Sequence, residues 1–235
     1  MFIFSPDKHF IGTRHVEYSE LSDSGVILLD GVPPGKYTVV AFANIRTMES
    51  AKLVPGLSIP EELRLMLAFD KYHPTCDPIL HHAGSYDVRR NAFRVDTRTM
   101  NKLFYRIELS VHGANSLDGF SIHFEGASAG YDFRGDRLGS VTYVPMLRDD
   151  GGVLKGAFFI PRFGRDDRVM MTLLAGTQKL AEMPLSDYLR EHDVHIDLDA
   201  RDVIIPIDIR LNATHVTVVV NDWDEGAVQL PILGH

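Results

Sequence analysis

The chain has 235 residues, 26.4 kDa, 45% apolar content and a formal charge of −8 at pH 7. That apolar share can fill the core of one large or two small domains, and two is the expectation. An acidic chain whose densest basic spot is Arg89-Arg90 argues against nucleic acid as a partner, and the single cysteine, Cys76, rules out an intramolecular disulfide.

Residues 1–4 read as a short strand ended by the turn Ser5-Pro6-Asp7, and residues 26–29 as a second, apolar one. Gly31-Val32-Pro33-Pro34-Gly35 then turns the chain into a strand over 36–45, with Tyr37, Val39 and Ala41 on one face. A short helix is expected between 56 and 70. Ser58 three residues before Glu61 forms a capping box, Pro60 lies in the first turn, and Leu63, Met66 and Leu67 recur at helical spacing. Residues 80–82 and 92–96 read as short strands around the polar segment 84–91. The polar run 97–102 places a boundary between an N-terminal domain, 1–100, and a C-terminal domain, 101–235.

From Leu103 the alternation is clean. Leu103, Tyr105, Ile107, Leu109 and Val111 fall on one face, and Arg106, Glu108, Ser110 and His112 on the other. Residues 113–119 turn into Phe120, Ile122 and Phe124 at alternate positions, which predicts a hairpin or meander with one buried face. Strands follow at 141–144, 156–160, 169–174 and 178–182. A helical turn or two is expected at 185–192, capped by Ser186 with Tyr188 and Leu189 inward.

Ile205, Ile207, Ile209 and Leu211 alternate with Pro206, Asp208 and Arg210, and residues 216–220 form a β-branched run suited to a pleated sheet. With Asn212-Ala213-Thr214 between them, 203–211 and 215–223 predict an antiparallel hairpin. In the tail, Val228, Leu230 and Ile232 alternate as a donated or terminal strand would, and Pro231 confines it to an edge or bulge. Pairing of the tail within its own domain is the other reading. Repeated short strands with turn signals, and no strand-helix-strand alternation, describe an all-β chain of antiparallel sandwiches with one or two short helices.

The chemistry-bearing residues are sparse. His192, His195 and Asp197 would share a face only on a helix, whereas residues 194–198 alternate as a strand. Neighbouring His81 and His82 point to opposite faces for the same reason. Cys76, between Pro74 and Pro78, reads as an unpaired loop thiol. The acidic pairs Asp149-Asp150, Asp166-Asp167 and Asp222 with Asp224 lie in turns, as solvated turn formers do. Arg134-Gly135-Asp136, a tripeptide that some adhesive proteins present to integrins, follows Tyr131-Asp132-Phe133 where a strand meets a turn. No serine lies in a nucleophile-elbow context and no phosphate-cradling glycine motif is present, so no catalytic, cofactor or metal site is expected and the chain does not read as an enzyme.

Three stretches carry a resemblance in the same order as in one family: 34–44, reading Pro-Gly-Lys-Tyr-Thr-Val-Val-Ala-Phe-Ala-Asn; 104–111; and the ending Asn221-Asp222-Trp223, where Trp223 is expected to plug the end of a sandwich. They resemble the Bacteroides-type fimbrial anchor family, the FimB-type relatives of the fimbrillins. The resemblance implies two transthyretin-like β-sandwich domains in an outer-membrane lipoprotein at the base of a fimbrium, which ties the polymer to the cell and limits its length. Other fimbrial subunits would join by strand complementation, main-chain pairing in which a lent strand fills a neighbour's sheet. The family's pattern has a signal peptide, a lipid-bearing cysteine and a first strand ahead of the segment matching residues 1–4. Those are missing here, and a vacant strand position in the N-terminal domain would leave a groove to be covered by the tail or by a second copy. A different class of reading, a carbohydrate-binding sandwich, would need Tyr131, Phe133 and Tyr143 side by side on one exposed face.

Overall fold

The computed structural model describes residues 1–17, 19, 27, 32–67, 72–90, 98–113, 119–164, 167–185, 204–212, 215–220 and 228–231, the last four and Val220 by backbone alone. Its strands, in chain order, are β1 Phe2–Phe4, β2 Phe10–Thr13, β3 Gly35–Ala43, β4 Met48–Ser50, β5 Arg64–Leu67, β6 Tyr72–His73, β7 Leu80–Val88, β8 Asn101–Lys102, β9 Phe104–His112 and β10 Phe120–Ala127. They continue as β11 Gly130–Asp132, β12 Arg137–Leu138, β13 Val141–Tyr143, β14 Arg148–Asp150, β15 Val153–Pro161, β16 Met170–Ala175, β17 Gln178–Pro184, β18 Ile204–Leu211, β19 His215–Val220 and β20 Val228–Pro231. The all-β expectation holds.

Two compact units are present. The first takes Met1–Ala68, Pro78–Leu103 and Gly130–Leu138; the second takes Phe69–Asp77, Phe104–Ala129 and Gly139–His235. The first unit has a five-stranded sheet, β2-β1-β3-β7-β8, and a four-stranded sheet, β12-β11-β5-β4. Hydrogen bonds join its two sheets: the hydroxyl of Tyr131, on β11, donates to the Leu103 carbonyl at 2.6 Å beside β8. The second unit has a five-stranded sheet, β17-β16-β10-β13-β6, and a six-stranded sheet, β14-β15-β9-β18-β19-β20. Phe124 on β10 meets Phe158 on β15 with ring centroids 5.3 Å apart, one contact closing that sandwich.

Strand β9 shows why the alternation dictates the layer. Tyr105, Ile107, Leu109 and Val111 are buried while Arg106 and Glu108 pair outside at 2.9 Å, so one face joins the core and the other stays wet. Pairing on both sides makes β9 central: β15 runs antiparallel along its full length and β18 runs parallel, from Ile204 opposite Arg106 to Arg210 opposite His112. The expected C-terminal hairpin forms too, with Ile207 opposite Val220 through Leu211 opposite Val216, and the Asn212 amide donating to the His215 carbonyl at 3.0 Å.

The pairing of consecutive strands differs from expectation at β9 and β10. They belong to opposite sheets of the second unit, β10 pairing with β13 and β16. Alternation fixes which face of a strand is buried, but two strands with inward apolar faces satisfy it equally well as neighbours or as opposite layers.

The helix expected between 56 and 70 is instead the three-residue 3₁₀ turn Pro60–Glu62 followed by β5. Ile59 precedes the turn without a side-chain cap bond, while the Ser58 hydroxyl accepts from the Val54 amide at 3.1 Å. Leu63, Leu65 and Leu67 are all buried, and a helix would have turned Leu65 away from the other two. The strand expected at 80–82 runs on to Val88 through polar residues, because β3 pairs with it residue for residue from Ala43 opposite Leu80 to Gly35 opposite Val88. The strands expected at 26–29 and 92–96 and the helix at 185–192 fall, but for Ile27 and Leu185, outside the described residues.

One core position is poorly matched to its surroundings. The Thr172 hydroxyl on β16 is buried and finds no hydrogen-bond partner among the described residues. A buried hydroxyl without a partner costs about 1–3 kcal/mol of desolvation. Thr172→Val, which keeps the shape, is therefore expected to raise stability by about 1 kcal/mol. A guanidinium titration checks it, and a lowered midpoint would mean that the hydroxyl is bonded.

Candidate functional site

What a sandwich offers a partner is its edges, where backbone N–H and C=O groups lack neighbours, and its turns. Among the described residues of the first unit the terminal strands are β2, β8, β12 and β4, all of four residues or fewer. The outer side of β2 is partly covered: the Phe10 amide donates to the Ser58 carbonyl at 2.7 Å and its carbonyl accepts from the Gly56 amide at 2.8 Å. β1, flanked by β2 and β3, has no vacancy beside it.

In the second unit, β6 has two residues and β14 is the charged run Arg148-Asp149-Asp150, both poor templates for another chain. The other two terminal strands differ. β17 has seven residues and β20 four, and the two lie beside one another, so one side of this unit carries both sheets' longer edges. β20 pairs antiparallel with β19, Val218 opposite Val228 through His215 opposite Pro231. Of the tail residues singled out in the sequence, Val228 and Leu230 thus stand in a strand of the chain's own sheet. Ile232 lies outside the described residues, as do Asn221, Asp222 and Trp223.

The turn between β11 and β12 is the best-defined surface feature of the first unit. Asp132 organises it: its Oδ1 accepts from the Arg134 amide at 2.8 Å and the Asp136 amide at 2.9 Å, while its own amide donates to the Asp136 carbonyl at 2.9 Å. Gly135 adopts φ 84°, and a Cβ there would sit 2.8 Å from the Nδ1 of His81, so this position excludes a side chain twice over. His81 is buried, with Nε2 3.0 Å from the Phe133 carbonyl; since a carbonyl only accepts, Nε2 carries the proton. Burial pushes the His81 imidazole below its ordinary value, which keeps it neutral under the turn. Arg134 and Asp136 point outward and are exposed, the guanidinium 5.0 Å from the Phe133 ring centroid. Sequence reading treated His81 and the tripeptide separately; Asp132, two residues before the arginine, signals the turn, whereas the His81 bond to the Phe133 carbonyl leaves no mark in the sequence.

The remaining candidates stay apart. His81 and His82 face opposite ways, the latter bonded through Nε2 to the Tyr86 hydroxyl at 2.9 Å. No group of three metal-ligating side chains occurs among the described residues, and His192, His195 and Asp197 are not among them. Cys76 is buried, and desolvation followed by the neighbouring Asp77 pushes its thiol far up, so it stays protonated and unreactive. Asp149 accepts from the Gly152 amide at 2.8 Å and Asp150 pairs with Lys155 at 2.6 Å, both as turn formers. Asp167 likewise accepts from the Gly164 amide. The aromatic platform is overturned. Tyr131 and Tyr143 are 2% and 0% exposed, in different units, their hydroxyls turned to the carbonyls of Leu103 and Ser128. Strand alternation sends these rings into the cores, where no sugar can stack on them.

The sequence pattern of the fimbrillin-A associated anchor proteins Mfa1 and Mfa2 matches residues 1–226. No curated protein sequence matches at a significant level. Among solved structures, the fimbrial anchor protein Mfa2 from Porphyromonas gingivalis superposes with a TM-score of 0.73 at 13% identity, over 98% of this chain and 88% of that one. A candidate polysaccharide-binding protein from Bacteroides thetaiotaomicron gives 0.77 at 15% identity, over 97% and 88%. A candidate adhesin from Bacteroides ovatus gives 0.76 at 14%, over 99% and 87%. At these identities the likeness is one of fold.

Proposed function

The chain belongs to the family of fimbrillin-A associated anchor proteins, Mfa1 and Mfa2, and from that premise we infer that it is a fimbrial anchor that joins its neighbours by lending its last strand. The family associates with other fimbrial subunits in a cell-surface fimbrium, and its members are structural and adhesive. On this reading the chain is held as a lipoprotein in the outer membrane, limits the length of the polymer and performs no catalysis.

The observation that carries the strand-lending step is the position of β20. It is the terminal strand of its sheet, held by pairing with β19 alone among the described strands, over four residues, one of them a proline that has no N–H to give. A short edge strand can peel away without disturbing the β9–β18–β19 pairing beneath it. Its sequence alternation, Val228, Leu230 and Ile232, supplies apolar side chains at the period that an acceptor groove reads.

Thr217 stands opposite Gln229, so Thr217→Cys with Gln229→Cys places two thiols across the β19–β20 pair. Oxidised, this variant is expected to lose capture by the assembled fimbria, and reduction to restore it. Equal capture in both states would end strand lending. The anchor reading is checked separately, by deleting the gene: longer fimbriae shed into the medium are expected, and unchanged length and attachment would count against it.

A further inference from the structure

The turn between β11 and β12 belongs to the first unit, away in sequence from the strand proposed for exchange, and its backbone is held at several points. Four hydrogen bonds involving Asp132 fix residues 132–136: two to its carboxylate, one from its amide, and one from the Gly135 amide to its carbonyl at 3.1 Å. A fifth, from buried His81 to the Phe133 carbonyl, ties the turn to β7. The imidazole fills the space that a Cβ on Gly135 would need, and on either side Arg134, its guanidinium over the Phe133 ring, and Asp136 are exposed, an unlike-charged pair separated by one residue.

We propose that Arg134-Gly135-Asp136 is a receptor-binding site for an integrin-type partner, whose ligand pocket sets a protein-bound divalent cation beside an acidic recess. The Asp136 carboxylate, a hard oxygen donor, completes the coordination of the partner's cation. The Arg134 guanidinium enters the acidic recess and donates to carboxylates there. Gly135 permits the close approach that both contacts need, since a side chain at that position would meet either His81 or the receptor. Because the backbone is already held by Asp132 and His81, binding costs little ordering of the loop. The site stands whether or not the anchor reading does: it needs only an exposed first unit.

The test uses the intact chain immobilised on a sensor surface and the purified ectodomain of the vitronectin-receptor integrin in manganese buffer. Saturable binding is expected, abolished by a chelator and by competing Arg-Gly-Asp peptide. Asp136→Glu keeps the charge and the backbone hydrogen bonds but displaces the carboxylate, and should weaken binding at least about 30-fold, the loss expected for a hot-spot contact. Arg134→Lys should weaken it less, since an ammonium retains the charge without the bidentate fork. Unchanged circular dichroism of both variants excludes misfolding. Absence of binding by the natural chain, or equal binding by Asp136→Glu, overturns the proposal.

Discussion

Truncating Phe124 to alanine is expected to cost the second unit about 3–5 kcal/mol, the range for losing a large aromatic from a closed core. Phe124 is fully buried on β10, opposite Tyr143 of β13 on one side and Met171 of β16 on the other, and it reaches across to Phe158 of the facing sheet. Those neighbours are anchored in three strands and cannot converge on the void, so the cavity term adds to the lost transfer energy. Cys76 provides a probe of this unit alone: it is buried there, and its amide donates to the Phe159 carbonyl at 2.8 Å. Modification of the thiol by a disulfide reagent, followed through a guanidinium titration, should move to lower denaturant in Phe124→Ala. A loss under about 1 kcal/mol would mean that the ring sits in a site able to collapse, at odds with a close-packed sandwich.

Partner choice was less legible in the sequence than face choice. On β9 the alternation of Tyr105, Ile107, Leu109 and Val111 with polar residues is a local property of the pleat, and it survives into the fold unchanged. Which strand lies beside β9 depends on residues far along the chain: β15 and β18 flank it, while the next strand, β10, joins the opposite sheet. At 63–67 two periods coexisted. Leu63, Met66 and Leu67 fit a helix and Leu63, Leu65 and Leu67 fit a strand, and the pairing of β5 with β4 and β11 decided for the strand. A polar run at 97–102 suggests one cut in the chain, yet the compact units take 69–77 into the second and 130–138 into the first. Exchanges of that kind leave no local mark, since both segments carry ordinary strand and turn residues.

For the candidate surfaces the division is similar. The tail's alternation left a donated strand and pairing within its own domain both open, and in the structure β20 pairs with β19. The tripeptide 134–136 was visible as letters, but its fixed presentation depends on His81, 53 positions before Arg134 in the printed numbering, and on the carbonyl bond that no spacing rule predicts. The carbohydrate-binding alternative turned on whether the rings of Tyr131 and Tyr143 are exposed, which the sequence left open because a tyrosine hydroxyl can serve a wet face or reach a buried carbonyl; the latter occurs.

Glycine 126 offers the second large effect, through backbone geometry instead of packing. β10 pairs with β13 at Phe124 opposite Tyr143 and again at Ala127 opposite Val141, so two residues of β10 lie between paired positions where β13 supplies only one, Thr142. That surplus residue is a bulge, and Gly126 within it adopts φ 78°. An alanine there meets two penalties. Its left-handed backbone costs about 1 kcal/mol more than glycine's, and its Cβ would lie 2.4 Å from the Arg168 carbonyl oxygen, a backbone atom with no rotamer by which to withdraw. The segment before β16 would have to shift, and Glu125 pairs with Met170 immediately beside it. Gly126→Ala is therefore expected to destabilise the second unit by about 2–4 kcal/mol, more than the usual penalty for alanine at a positive φ. Gly151→Ala is the matched comparison: φ is 66° there with nothing within 4 Å of the added atom, so it should lose about 1 kcal/mol from the backbone alone. Equal losses in the two variants, read from the same Cys76 titration, would show that the bulge yields and that Arg168 does not wall it in.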